Sequence, residues 1–203
     1  MHIYPSQGKK HRLNNLKANL ITKLGIARTF QNLRLFSSLT VLQNLTAPIL
    51  GMSGYGLAPA VFRSGTYTVR ERSAERAARE LLDFFQLSDK ENQPAKSLPY
   101  GEQRKLELAR ALSVNPRLLL IDEPAAGMNP REIQDLVRLL KQLRKHFRLT
   151  MIVIEHQMRL IMNVSDRLVA MDFGEKIAEG SPAEVKKDRR VIEAYLGEEV
   201  TTC

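Results

Sequence analysis

The run Leu118-Leu119-Leu120-Ile121-Asp122-Glu123-Pro124 constrains this chain more than any other segment. Four consecutive large aliphatic residues leave no polar face, which predicts a short strand covered on both sides, as in the parallel sheets of α/β proteins. Two adjacent carboxylates stand at its carboxyl end, the edge at which α/β sheets bind ligands. One acid suits a bound Mg²⁺ and the next suits a polarised water. The same pair also reads as two solvated acids ahead of a turn.

The surroundings repeat the α/β pattern. Asn129 caps a helix with Pro130 at its first position and Glu132 three residues on, and Ile133, Leu136, Val137, Leu140 and Leu143 form its apolar stripe. Leu149 to Ile154 is a second buried strand, and strand, helix, strand in this order implies a parallel sheet with a right-handed crossover. Arg167 to Glu179 reads as two strands around Phe173-Gly174, and Ser181-Pro182-Ala183-Glu184 as a capping box opening a terminal helix. Upstream, Arg70 to Leu87 is an amphipathic helix with Ala74, Ala77, Ala78, Leu81, Leu82 and Phe85 on one face, and Gly51 to Gly65 is a loop. Residues 1 to 23 form a poorly specified basic leader with a weak rhythm at Leu13, Leu16 and Leu20.

At 203 residues and 43% hydrophobic, the chain holds enough apolar material for one domain with a subdomain. No stretch approaches the roughly 18 to 20 apolar residues of a membrane-spanning helix, so membrane contact is expected through a partner. The single cysteine, Cys203, excludes an intrachain disulfide and fits a reducing cytoplasm. The net charge of +9 sits at the front: residues 1 to 70 carry nine Lys or Arg and no acid before Glu71, and the remainder balances 22 bases with 22 acids. Without interleaved aromatics this basic front reads as solvated surface, and nucleic acid is set aside as a partner.

Leu98-Pro99-Tyr100-Gly101-Glu102-Gln103-Arg104 precedes a helical stretch about twenty residues ahead of the carboxylate pair, and Glu155-His156 follows the next strand. A glycine at a helix mouth lets phosphate approach free N–H groups. Taken together these elements resemble an ABC-type ATPase. Leu98 through Glu102 corresponds to the signature motif, Leu118 through Glu123 to the Walker B strand, Ala126-Gly127-Met128-Asn129 to the D-loop and His156 to the switch histidine. Ala27-Arg28-Thr29-Phe30-Gln31-Asn32 resembles the Q-loop. Four stretches, Gly25 to Phe36, Leu98 to Leu112, Asp122 to Pro130 and Val191 to Gly197, are similar to ATP-binding subunits of branched-chain amino-acid importers.

The resemblance implies an α/β P-loop NTPase fold with a helical subdomain, in which residues 25 to 200 are a partial ABC ATPase domain. Residues 37 to 115 would be mostly helical, 116 to 180 the α/β core and 181 to 199 a closing helical segment, with 1 to 24 outside the resemblance. It implies ATP and Mg²⁺ as ligands, Asp122 and Gln31 on the metal, Glu123 as general base and His156 on the γ-phosphate. Gln31, Leu98, Pro99, Tyr100, Gly101, Glu102 and Asn129 would serve nucleotide, the signature residues that of a facing subunit. The implied partners are integral-membrane permease subunits, a second ATP-binding subunit and, indirectly, a periplasmic or extracellular amino-acid-binding protein. The implied location is peripheral, on the cytoplasmic face of the inner membrane.

The departure from the family is a missing P-loop. The only Gly-Lys is Gly8-Lys9, preceded by no glycine at the required spacing and followed by Lys10, so G-x-x-x-x-G-K-[ST] is not met. The family's opening strands and adenine-stacking aromatic are not matched either, and Pro99 stands where most members have serine. The expectation is therefore an amino-terminally truncated cassette, with apolar strand surface exposed, poorly soluble and inactive alone. The alternative is a degenerate cassette that supplies its signature motif to a partner.

Overall fold

The computed structural model describes residues 2–3, 11–31, 33–52 and 65–196 of the chain. The chain opens with an antiparallel pair, β1 (His2–Ile3) and β2 (His11–Arg12), and a short helix α1 (Ala18–Lys23) that buries no residue. Gly25 then turns the chain at φ +85°, a conformation a Cβ disfavours. Its carbonyl accepts from the N–H groups of Arg117 (2.8 Å) and Leu118 (3.1 Å), which seats β3 (Ile26–Arg28) beside the aliphatic strand. Helices α2 (Val41–Met52), α3 (Gly65–Phe85) and α4 (Tyr100–Leu112) follow. After them come β4 (Leu118–Asp122), α5 (Pro130–Phe147), β5 (Thr150–Ile154) and α6 (Met158–Val164). The hairpin β6 (Leu168–Asp172) and β7 (Glu175–Gly180), α7 (Pro182–Val185) and α8 (Arg189–Val191) close the fold.

The central sheet is parallel, in the order β3-β4-β5, with Leu120 opposite Arg28 on one side and Ile152 on the other. Both predicted caps form: Asn129 and Ser181 each accept from the backbone N–H three residues on, and Glu132 and Glu184 reach back. The β6–β7 hairpin turns at Phe173-Gly174, both at positive φ, as a two-residue turn requires.

One core cluster joins the helices to the sheet. Leu82 and Phe85 of α3, Val41 and Leu45 of α2, and Leu106 and Ala109 of α4 pack there with Leu119 and Ile121 of β4 and with Ile133, Leu136, Leu140 and Leu143 of α5. A smaller cluster places Leu168, Ala178, Val185 and Val191 against α6.

Three expectations change. The predicted loop is shorter at both ends: Gly51 lies inside α2 and Gly65 opens α3, and positions 53–64 lie outside the described residues. Ala77 is exposed, because the buried line of α3 runs 74, 78, 82 in steps of four. The strands are not covered on both faces. Leu119 and Ile121 are buried, whereas Leu118 and Leu120 are half-buried, and on the same face of β5 Ile152 and Ile154 are exposed. Among the described residues nothing packs fully over that face.

Candidate functional site

Each of the three strands of the sheet carries a sequence-predicted site residue just beyond its carboxyl end. Gln31 lies three positions beyond β3, Glu123 one beyond β4 and His156 two beyond β5. The parallel register, Asp122 opposite Ile154, makes this one edge. Thus Gln31 and His156, 92 and 33 positions from Glu123 in sequence, reach the same sheet edge through strand pairing.

Glu123 sits at φ +40°, an unusual backbone for a residue with a side chain. Its N–H donates to Ile154 O at 2.9 Å, and its Oε2 accepts from Gln31 Nε2 at 2.6 Å. Asp122 is paired differently, with Oδ2 accepting from Arg28 Nη2 at 2.9 Å. The sequence quoted Arg28 only as part of a motif; its partnership depends on β3–β4 register, which no local pattern reveals.

Glu155 is a second residue whose role the sequence left unassigned. Its side chain is fully buried, and main-chain donors satisfy both oxygens: Ala125 N (3.0 Å) reaches Oε1, and His156 N (2.7 Å) and Gln157 N (3.2 Å) reach Oε2. It therefore bolts the turn after β4 to the turn after β5. His156, 64% exposed, has Nδ1 3.4 Å from Glu155 Oε2. An acid directly after an apolar strand, where the chain must turn, was the available signal.

The signature segment stands at the start of α4. Leu98 is buried in the core and its carbonyl accepts from Gln103 Nε2 at 2.8 Å. Pro99 occupies the N-cap, and a Cβ built on Gly101 would meet nothing within 4 Å. Glu102 pairs with Lys90. The segment does not hydrogen-bond Asp122, Glu123 or His156. It reaches that edge through Tyr100, whose hydroxyl donates to Ala126 O at 3.2 Å, and through Arg104. Asn129 uses its side-chain oxygen on the N–H groups of Arg131 and Glu132 as the cap of α5.

Among the described residues no three His, Cys, Asp or Glu side chains cluster tightly enough to cage a metal. Mg²⁺, however, is usually held by one or two protein oxygens together with phosphates and waters. The Asp122 carboxylate and the Gln31 amide oxygen are a donor set of that kind.

A parallel sheet with an acidic carboxyl edge, an adjoining glutamine and a helix with a glycine in its first turn is the arrangement expected of a nucleotide-binding cassette. The ABC transporter family profile matches residues 3–126, and the branched-chain amino acid ATP-binding cassette transporter profile matches residues 175–201. The branched-chain amino acid transport ATP-binding protein BraF of Pseudomonas aeruginosa is 38% identical over 186 residues, 92% of this chain and 73% of that protein. LivG of Escherichia coli is 36% identical over 190 residues, 94% of this chain and 74% of that protein. A crystal structure of an ABC-transporter ATP-binding cassette in its ADP conformation superposes with a TM-score of 0.73 at 30% identity, covering 95% of this chain and 75% of the other. The chain belongs to the ABC transporter family, among the ATP-binding proteins of branched-chain amino-acid transport.

Proposed function

We propose that this chain is a peripheral ATP-binding subunit of a branched-chain amino-acid importer, and that its strand edge serves hydrolysis. The observation that carries this is the contact between Gln31 and Glu123 at the end of adjacent parallel strands, with His156 on the next. In this reading Glu123 takes a proton from the attacking water, Gln31 orients that water and His156 contacts the γ-phosphate. Asp122 and Gln31 would hold Mg²⁺, which when bound neutralises phosphate charge. Leu98 to Glu102 would face the nucleotide of a second ATP-binding subunit, with Asn129 near the same interface.

No helix among the described residues is long and apolar enough to cross a membrane. The reading therefore takes permease subunits as its membrane partners, on the cytoplasmic face of the inner membrane, with an amino-acid-binding protein acting through them. Because these 203 residues contain no P-loop motif, ATP binding at the chain's own site is proposed to be impaired. That same fact supports a second reading, a cassette that does not hydrolyse ATP but supplies its signature motif.

ATP turnover of the chain assembled with a second ATP-binding subunit and a permease separates the two. If the chain's own edge hydrolyses ATP, Glu123→Gln lowers turnover. If it only supplies the signature, Gly101→Asp lowers turnover and Glu123→Gln does not. A Cβ at Gly101 meets nothing within 4 Å, so the substitution introduces no clash at that atom. Turnover indifferent to both variants refutes both readings.

A further inference from the structure

Arg104 lies on the inward stripe of α4, one turn below Leu108, where an aliphatic residue would pack at lower cost. Its side chain is only 5% exposed and that of its partner Glu107 only 2%. Nη1 donates to Glu107 Oε2 (2.9 Å) and to Phe30 O (2.9 Å), and Nη2 donates to Gln31 O. The guanidinium thus bridges a buried carboxylate and two successive carbonyls, 74 and 73 positions away in sequence. Gln31, held by its main chain, places its amide on Glu123.

We propose that Arg104 is a positioning residue that fixes the Gln31 main chain so that the Gln31 amide stays on Glu123. The inference rests on the reading of Gln31 and Glu123 as site residues, and adds that α4, the helix with Gly101 in its first turn, sets their geometry. A buried ion pair is weak support for stability, since apolar replacements of both partners are often tolerated. What apolar residues cannot replace is a planar fork that reaches two carbonyls at once. Lysine, with one point of charge, satisfies only part of the set.

The test is carbodiimide labelling of Glu123 in the full chain without nucleotide, read by mass spectrometry, with Glu132 on α5 as internal control. Leaving one charge buried alone risks unfolding, so the pair is removed together as Arg104→Met/Glu107→Leu. Losing the Gln31 contact should speed labelling about fivefold, the factor one net hydrogen bond is worth. Gln31→Ala should give the same increase, and the combination no more, because both act on one contact. Arg104→Lys should fall between. The proposal is overturned if the double variant labels Glu123 at the original rate, if its effect adds to that of Gln31→Ala, or if Glu132 labelling rises in parallel, which would mean a core role only. None of these readouts involves ATP, so failure of the hydrolytic reading is seen separately in turnover.

Discussion

Replacing Ile121 or Ile154 by alanine tests whether the sheet has one covered face and one open face. Ile121 is the penultimate residue of β4 and Ile154 the last of neighbouring β5, and the same atoms are removed from each, so the change in strand propensity is largely common to both and drops out of the difference. Ile121 is 2% exposed within the main core cluster, and truncating such a residue costs about 2 to 5 kcal/mol in transfer and cavity terms. Ile154 is 61% exposed. Full burial of a side chain of this size is worth about 1.5 to 3 kcal/mol, and Ile154 buries about two-fifths, so its loss should cost about 0.6 to 1.2 kcal/mol. With urea slopes of about 1 to 3 kcal/mol per molar, the midpoints of the two variants should differ by on the order of 1 M. Urea titration followed by far-ultraviolet circular dichroism reads this directly. Equal losses in the two variants would refute the argument, because they would require Ile154 to be covered as deeply as Ile121.

The other predictions are smaller or qualitative. Asn129→Ala removes both N-cap bonds of α5 and should cost about 1 kcal/mol, lowering the melting temperature by about 2 to 4 °C in a calorimetric scan. Glu184 is held below the ordinary carboxylate range by the Ser181 hydroxyl and then the Ser181 amide. Since its folded value is depressed, the stabilisation is present above the unfolded value of about 4.3 and is lost as pH falls through the folded one. A carbon-13 titration should find the midpoint of Glu184 raised in Ser181→Ala. The isolated chain should hydrolyse no ATP above background; turnover of purified chain that Glu123→Gln abolishes would contradict this.

The parts legible in the sequence were those fixed within one turn or one strand. The acids after an aliphatic run, the Asn129 and Ser181 caps and the Phe173-Gly174 turn each rest on residues at most five apart. Composition also located β5, but not its exposure: an apolar run shows what a strand can bury, not whether anything lies over it. The bonds Arg28–Asp122, Arg104–Phe30 and Arg104–Gln31 cross from 73 to 94 positions. They follow from which strands pair and which helix packs below them, information that periodicity does not contain. Arg104 nonetheless left a trace, as a charged residue at a stripe position with Glu107 three residues on.

The exposed face need not loosen the carboxyl edge, because the two depend on different contacts. Holding Glu123 at positive φ costs roughly 1 to 2 kcal/mol, so something must hold it there. The restraints are main-chain and buried: the Glu123 N–H on Ile154 O, and the Glu155 carboxylate across the adjoining turns to Ala125 N. Gln31, held by Arg104, adds a third from β3. None uses the side chains of Ile152 or Ile154. Cover over those residues should therefore change solubility and global stability more than the geometry of Glu123.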